Sequence, residues 1–245
     1  MNQLAPAVRL VNVSKLYETQ RERSAGVHDI SLEARHGEMV LFLGPSGSGK
    51  TTLLTLAAGL LEPTSGSIEL FGDEIRRLPP AELQRLRAVH MGFVFQTFRL
   101  IDALTVEENV GLVRRLARNR HSPADRNGTD VLERFGLSHL RKAFPPTLSQ
   151  GEKQRLAIAR ALVNNPELII ADEPTASLST EDSLETIQIL HSAAGSQGKC
   201  VLVATHDLRL REYADRVILL RDGRIVETQE NRQSNMKSQQ HLAGL

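Results

Sequence analysis

The sequence predicts an α/β protein: a largely parallel sheet carrying helices, with a helical subdomain set into the chain. Three observations predict it. The apolar run Leu41-Phe42-Leu43 leads through a glycine-rich turn into an apolar helix. Leu168 to Ala171 and Lys199 to Ala204 read as strands with a helical pattern, Thr180 to Ala194, between them, which is the order of a parallel βαβ unit. From Thr97 to about Pro166 strand signals largely vanish and helical ones take over.

The elements follow in order. Val8 to Val13 and Ile30 to Ala34 alternate apolar and polar residues as half-buried strands do. Between them, Ser14-Lys15-Leu16-Tyr17 reads as a polar turn region. Its Tyr17 is either a satellite core residue or a flat surface for a nucleotide base. Ser67 to Phe71 is a strand, and Pro79-Pro80-Ala81-Glu82 opens a short helix because proline suits the first helical turn. Met91 to Phe95 is a strand ending at Gln96. In the helical region Thr105 and Glu108 form a capping box, and Ser122-Pro123 starts a further helix. The basic run Arg114 to Arg120 reads as a solvated helix face. Pro145 to Glu152 leads into a long amphipathic helix ending near Asn164, and Arg216 to Val226 forms a hairpin around Asp222-Gly223. From Thr228 the composition turns to Gln, Asn, Ser and Lys, so a loosely packed or poorly ordered tail is expected. The whole reads as one domain over 1–245. Its core comes from 1–96 and 166–228, its helical subdomain from 97–165, and its polar tail from 229–245.

Composition narrows the classes of function. At 245 residues, 40% hydrophobic and 24% charged, the chain supplies a sizeable core. The net charge of +1 gives no general electrostatic reason to bind nucleic acid. The single cysteine, Cys200, has no internal disulfide partner and sits in an apolar run, so it reads as a packing residue in a reducing compartment. No apolar run approaches the roughly 20 residues that cross a bilayer. The opening residues lack the pattern of a secretory signal. Work at a membrane would therefore need another chain to bring this one there.

The chemistry starts at Gly44-Pro45-Ser46-Gly47-Ser48-Gly49-Lys50-Thr51-Thr52, whose spacing matches the P-loop pattern. Glycines let successive N–H groups turn toward one phosphate chain, and the following helix points its free N–H groups and positive dipole end at the same anion. Lys50 is placed to reach the β- and γ-phosphates and the Thr51 hydroxyl to ligate Mg²⁺. The plain alternative is a Gly/Ser-rich turn that binds nothing. Asp172 and Glu173 sit at the C-terminal end of an apolar strand, where open α/β sheets bind ligands. Asp172 suits Mg²⁺, in part through water, and Glu173 suits the polarising of an attacking water. Gln96 and His206 also end strands, either as solvated residues or as groups facing the γ-phosphate. Ser149 and Glu152 form a second capping box, whose helix terminus also suits an anion.

Taken in order, these residues resemble the Walker A loop, Q-loop, signature, Walker B, D-loop and H-switch of the ATP-binding cassette ATPases, from Val8 to about Thr228. The resemblance implies a P-loop NTPase fold with a RecA-like mixed-sheet core, an N-terminal antiparallel β subdomain and an inserted α-helical subdomain. It further implies ATP and Mg²⁺ as ligands and a head-to-tail dimer in which one copy's signature closes over the other's ATP. In that arrangement Tyr17 would stack on adenine, Gln96 would sense Mg²⁺ and water, Glu173 would be the general base and His206 would contact the γ-phosphate. Ser149, Gly151 and the neighbouring Glu152 would face the partner's ATP. Gly92 to Gln96 with Leu104 to Val110 is similar to one subgroup, the lipoprotein-releasing, macrolide-exporting and cell-division cassettes, together with exporter ATPases of heterocyst-forming cyanobacteria. That likeness implies a separate membrane permease, a periplasmic adaptor reached through it, and a place on the cytoplasmic face of the inner membrane. Phe98, Leu100 and Ile101 lie where the family docks that permease, and their exposure would mark an interface.

Two positions depart from the pattern. Gln150 stands where the signature has glycine, with Glu152 at its fifth position, and Ser179 stands where the D-loop has aspartate. Ser179 can still cap the helix that follows. Two other readings remain. A soluble cassette that handles ribosomes or nucleic acid, or regulates without transporting, is disfavoured by the near-neutral charge, and a small-molecule P-loop kinase leaves the signature and His206 unexplained.

Overall fold

The structure is a computed structural model and describes residues 5–18, 23–117, 127–176 and 178–231. Its centre is a six-stranded sheet in the order β10-β9-β3-β8-β7-β6. These strands are β3 (Met39–Leu43), β6 (Met91–Val94), β7 (Leu168–Asp172), β8 (Cys200–Thr205), β9 (Arg216–Arg221) and β10 (Arg224–Glu230). All neighbours pair in parallel except β9 with β10, the hairpin. A second, antiparallel sheet has the order β2-β1-β4-β5, from β1 (Val8–Glu18), β2 (Arg23–Ala34), β4 (Ser65–Leu70) and β5 (Asp73–Glu74).

The two-residue period of a strand explains how the layers stack. Met39, Leu41 and Leu43 of β3 enter one core, whereas Val40 and Phe42 enter the other. The same split recurs in β8, where Val201 and Val203 face one way and Cys200, Leu202 and Ala204 the other. With helices on one face and the antiparallel sheet on the other, a continuous apolar run is the required sequence for a strand buried on both sides. Helix α1 (Lys50–Ala57) fills the second core beneath the antiparallel sheet with Leu53, Leu54 and Leu56. Cys200 is completely buried there and burial pushes its thiol far up, as expected of a packing residue.

The helical stretch supplies α3 (Val106–Ala117), α4 (Asn127–Arg134) and α5 (Gln150–Leu162), and α2 (Pro80–His90) precedes it with proline in its first turn. Its apolar residues do not form a separate core. Val110, Leu132, Phe135 and Leu148 belong to the same cluster as Leu41 and Leu43 of the sheet. Thr105 caps α3 as expected, exchanging bonds with Glu108. The helix start at Ser122-Pro123 and the basic residues 118–120 lie outside the described residues.

Two expectations change. Ser14 to Tyr17 is not a turn: β1 runs through it to Glu18, with register shifts against β2. Polar side chains carry the irregular pairing. Asn12, at φ 50, accepts from Ser31 Oγ, and Ser14 Oγ accepts from the Asp29 N–H at 2.9 Å. At the other end β10 continues through Thr228, Gln229 and Glu230, past the point where the composition turns polar. It is an edge strand with mostly exposed side chains, so polarity there carries no cost. Asn231 then donates to Arg211 O and Ala214 O, and residues 232–245 lie outside the described residues.

Candidate nucleotide-binding and hydrolysis site

The loop 44–49 joins β3 to α1, and its shape is enforced by neighbours far away in sequence. A Cβ on Gly44 would stand 2.3 Å from Leu220 O, and one on Gly49 (φ +99) 2.3 Å from Gly26 O. No side chain fits either place. The β9–β10 turn, Asp222-Gly223, has both residues in the left-handed region, and Gly223 N–H donates to Ser48 O at 3.1 Å. The hairpin thus braces the loop. The Asp222-Gly223 signal announces the turn and not the loop it leans against, and nothing in the sequence marks Gly26 as the other wall.

The crest of the loop, Pro45, Ser46 and Gly47, is exposed while Ser48 and Lys50 are buried. Gly49 offers α1 no side-chain cap, so the first N–H groups of the helix are left for an anion. The Ser48 hydroxyl is buried with no hydrogen-bond partner. A phosphate oxygen would satisfy these donors. Lys50 Nζ donates to Gly44 O at 2.7 Å and Pro45 O at 3.1 Å, and lies 3.9 Å from Glu173 Oε1. Thr52 follows on α1, its Oγ1 3.4 Å from the Tyr17 hydroxyl. Tyr17 is 40% exposed and lies over Gly26, where a Cβ would meet its ring at 2.6 Å. It therefore presents a ring to solvent beside α1.

Sheet register brings the remaining groups to one edge. Asp172 pairs with Ala204 and Leu43 with Thr205, so Glu173 and His206 emerge side by side above the loop. Gln96 lies two residues past Val94, which pairs with Ala171, in the exposed turn beyond the same edge of the sheet. The Thr51 hydroxyl donates to Asp172 Oδ2 at 2.9 Å. Burial pushes the Asp172 carboxyl above its ordinary range, and the Glu173 charge adds to that. The Thr51 hydroxyl and the Lys50 charge oppose it. A hydroxyl and a half-buried carboxylate together make a hard oxygen site that suits Mg²⁺. Among the described residues no group of three His, Cys, Asp or Glu could hold a metal alone. Phosphate oxygens and water would complete the shell.

Glu173 has φ 47, an uncommon backbone for a non-glycine residue, held by its N–H bond to Ala204 O at 2.8 Å. Its carboxylate accepts from His206 Nδ1 at 3.0 Å, and His206 is 64% exposed. Beyond Gln96, Phe98 and Arg99 are both left-handed, and their carbonyls accept from the half-buried Arg160 of α5 at 2.6 and 2.5 Å. The expected apolar interface residues divide here: Phe98 and Leu100 are half-buried, Leu100 against the core, while Ile101 is 41% exposed.

Ser149 caps α5 in a full capping box with Glu152, whose carboxyl the Ser149 N–H and hydroxyl hold below its ordinary value. No hydrogen bond or ion pair among the described residues joins Ser149, Gly151 or Glu152 to the Lys50 cluster. Gln150 is exposed at the tip of that helix, and Ser179 caps α6 (Thr180–Gly195) by accepting from the Asp182 N–H.

Fold and site together define a P-loop nucleoside triphosphatase. The model of the ABC transporter family matches residues 27–176. Two relatives, each described as an uncharacterized ABC transporter ATP-binding protein, span nearly the whole chain. YknY of Bacillus subtilis is 37% identical over 93% of this chain and 98% of its own. Rv0986 of Mycobacterium tuberculosis is 38% identical over 90% and 89%. The dimeric post-hydrolysis structure of the ATP-binding cassette MJ0796, bound to ADP and Pi, superposes with a TM-score of 0.85 at 36% identity, covering 92% of this chain and 99% of that one. A second dimeric MJ0796 structure, a bacterial ABC transporter cassette, gives 0.85 at 34%, with the same coverage. The chain belongs to the ABC transporter family and is one of its ATP-binding, ATP-hydrolysing cassettes.

Proposed function

We propose that this cassette drives a separate membrane permease of the exporter or mechanotransmission kind, as a peripheral subunit on the cytoplasmic face of the inner membrane. Two copies close head to tail on ATP and part after hydrolysis. The observation that carries this is the division of the site. Lys50, Thr51, Asp172, Glu173 and His206 converge within one chain, while the Ser149 end of α5 stands apart from them, capped and exposed. A half-site of this kind is completed by a second copy. The dimeric MJ0796 structures support the pairing of two copies, and the one holding ADP and Pi is still paired, so in this reading parting follows product release.

In the closed pair the loop N–H groups and Lys50 take the phosphates, with the Lys50 ammonium exchanging the Gly44 and Pro45 carbonyls for them. Thr51 and Asp172 would hold Mg²⁺, with Gln96 at the same sheet edge to sense the ion and water, and the ion when bound would supply charge neutralisation at the phosphates. Glu173 accepts a proton from water as the water oxygen bonds to the γ-phosphorus, and the bond to the bridging oxygen of ADP breaks. His206 holds the Glu173 carboxylate in place. Tyr17 offers its ring to adenine, and Ser149, Gly151 and Glu152 face the ATP of the other copy. No helix among the described residues is long and apolar enough to cross a membrane. The permease's place is a groove of about 470 Å³ between α2 and α3, lined by Leu60, Phe93, Val113 and the 68% exposed Leu116 together with Arg85 and Arg87. A periplasmic adaptor would be reached only through that permease.

The test is recovery of partners from detergent-solubilised membranes by the Glu173→Gln variant with and without ATP. The expected result is a multi-pass membrane protein retained in ATP-dependent fashion, and lost when Leu116 is changed to Asp. Recovery of ribosomal or other soluble proteins alone would contradict the transporter reading.

A further inference from the structure

The N-termini of α5 and α6 meet, and one carboxylate stands between them. A Cβ on Gly151, in the first turn of α5, would lie 2.7 Å from Asp182 Oδ1. The other oxygen, Oδ2, accepts from the Ser179 hydroxyl at 2.7 Å, while Ser179 Oγ accepts from the Asp182 N–H at 3.1 Å. One turn further along α5, Arg155 Nη1 is 3.9 Å from Asp182 Oδ1 and 3.6 Å from Glu185 Oε2. Both helix N-termini attract a negative charge, and here they share the same one.

We propose that Asp182 is a positioning residue that fixes the signature end of α5 against the loop following β7. A side chain at 151 would then push Asp182 from this place within its own chain, whatever residue 151 faces in a second copy. The carboxylate belongs to the sheet-bearing part of the fold through Ser179, and it touches the inserted helices at the turn that presents Ser149. It also gives Ser179 a task. The hydroxyl both caps α6 and holds the carboxylate against Gly151, which an aspartate at 179 would repel by its like charge. This inference rests on the head-to-tail reading only in its effect on closure. The contact itself is a property of one chain.

Two measurements test it. In a thermal double-mutant cycle on the nucleotide-free chain, Gly151→Ala is expected to lower Tm by crowding Asp182. Adding Asp182→Ala should restore part of the loss. Strictly additive losses would overturn the contact. In the Glu173→Gln background, Asp182→Ala is expected to raise the ATP concentration for half-dimerisation by about 5- to 10-fold, the low end of coupling between sites. ATP binding by the monomer should stay unchanged. An unaltered ATP requirement for dimerisation would overturn the positioning role. If the Glu173→Gln parent itself stays monomeric, the head-to-tail reading and the effect on closure fail, and the thermal cycle still decides the contact.

Discussion

Glu173 shows in one residue how the site is assembled. Its strained backbone, the Ala204 carbonyl under its N–H and the His206 imidazole against its carboxylate hold a potential base above Lys50. Glu173→Gln keeps the shape and removes the proton acceptor. It should leave nucleotide affinity intact while phosphate release slows by about 10²–10⁴-fold, the usual worth of a general base. Lys50→Ala should show the opposite order of effects, with weakened equilibrium binding of ATP as the primary loss. Equal affinity in that variant would remove Lys50 from the phosphate site. Lys50, Thr51, Asp172, Glu173 and His206 were legible in the sequence because each ends a strand or begins a helix at a recognisable spacing. Gly26 and Gly223 were not, since what a glycine makes room for is decided by residues tens or hundreds of positions away. Asp182 escaped for the same reason.

Single elements carry the site through caps and packing. Bonds from Ser149 hold the Glu152 carboxyl below the ordinary value of 4.5. A depressed folded-state value means that the capping contribution is fully present above the unfolded value and is lost as pH falls through the folded one. Ser149→Ala keeps the Ser149 N–H bond and removes the hydroxyl, so it should bring the Glu152 midpoint only partway back up toward 4.5, read by carboxyl NMR titration; an unmoved midpoint would contradict the hydroxyl's part in holding that carboxylate. Strand β3 aims the loop, and its Phe42 is wholly buried beneath the antiparallel sheet. Phe42→Ala should cost about 3–5 kcal/mol in denaturant unfolding, through lost transfer energy and the cavity left behind. Apolar strands such as β3, β7 and β8 were legible because burial on both faces demands runs of that kind. The continuation of β1 through Ser14 and Lys15 was not, because its polar residues serve bulges against β2 that a two-residue period does not encode.

At the scale of the whole molecule, the sheet gathers the ends of β3, β6, β7 and β8 at one edge, and the inserted helices share the sheet's core. A shift of α5 is thereby linked to the Gln96 loop through Arg160 and to the loop after β7 through Asp182. The single chain brings Lys50, Thr51, Asp172, Glu173 and His206 together, and it also carries a capped helix end with no hydrogen bond or ion pair to them among the described residues. The most direct measurement of the central claim is the solution mass of the Glu173→Gln variant by light scattering with Mg²⁺ and ATP. The expected mass is twice the 27.1 kDa of the chain with ATP, the monomer mass with ADP, and no doubling when Ser149 is changed to Arg. A mass that stays monomeric at saturating ATP, or that doubles equally with ADP and with the Ser149→Arg change, would contradict it.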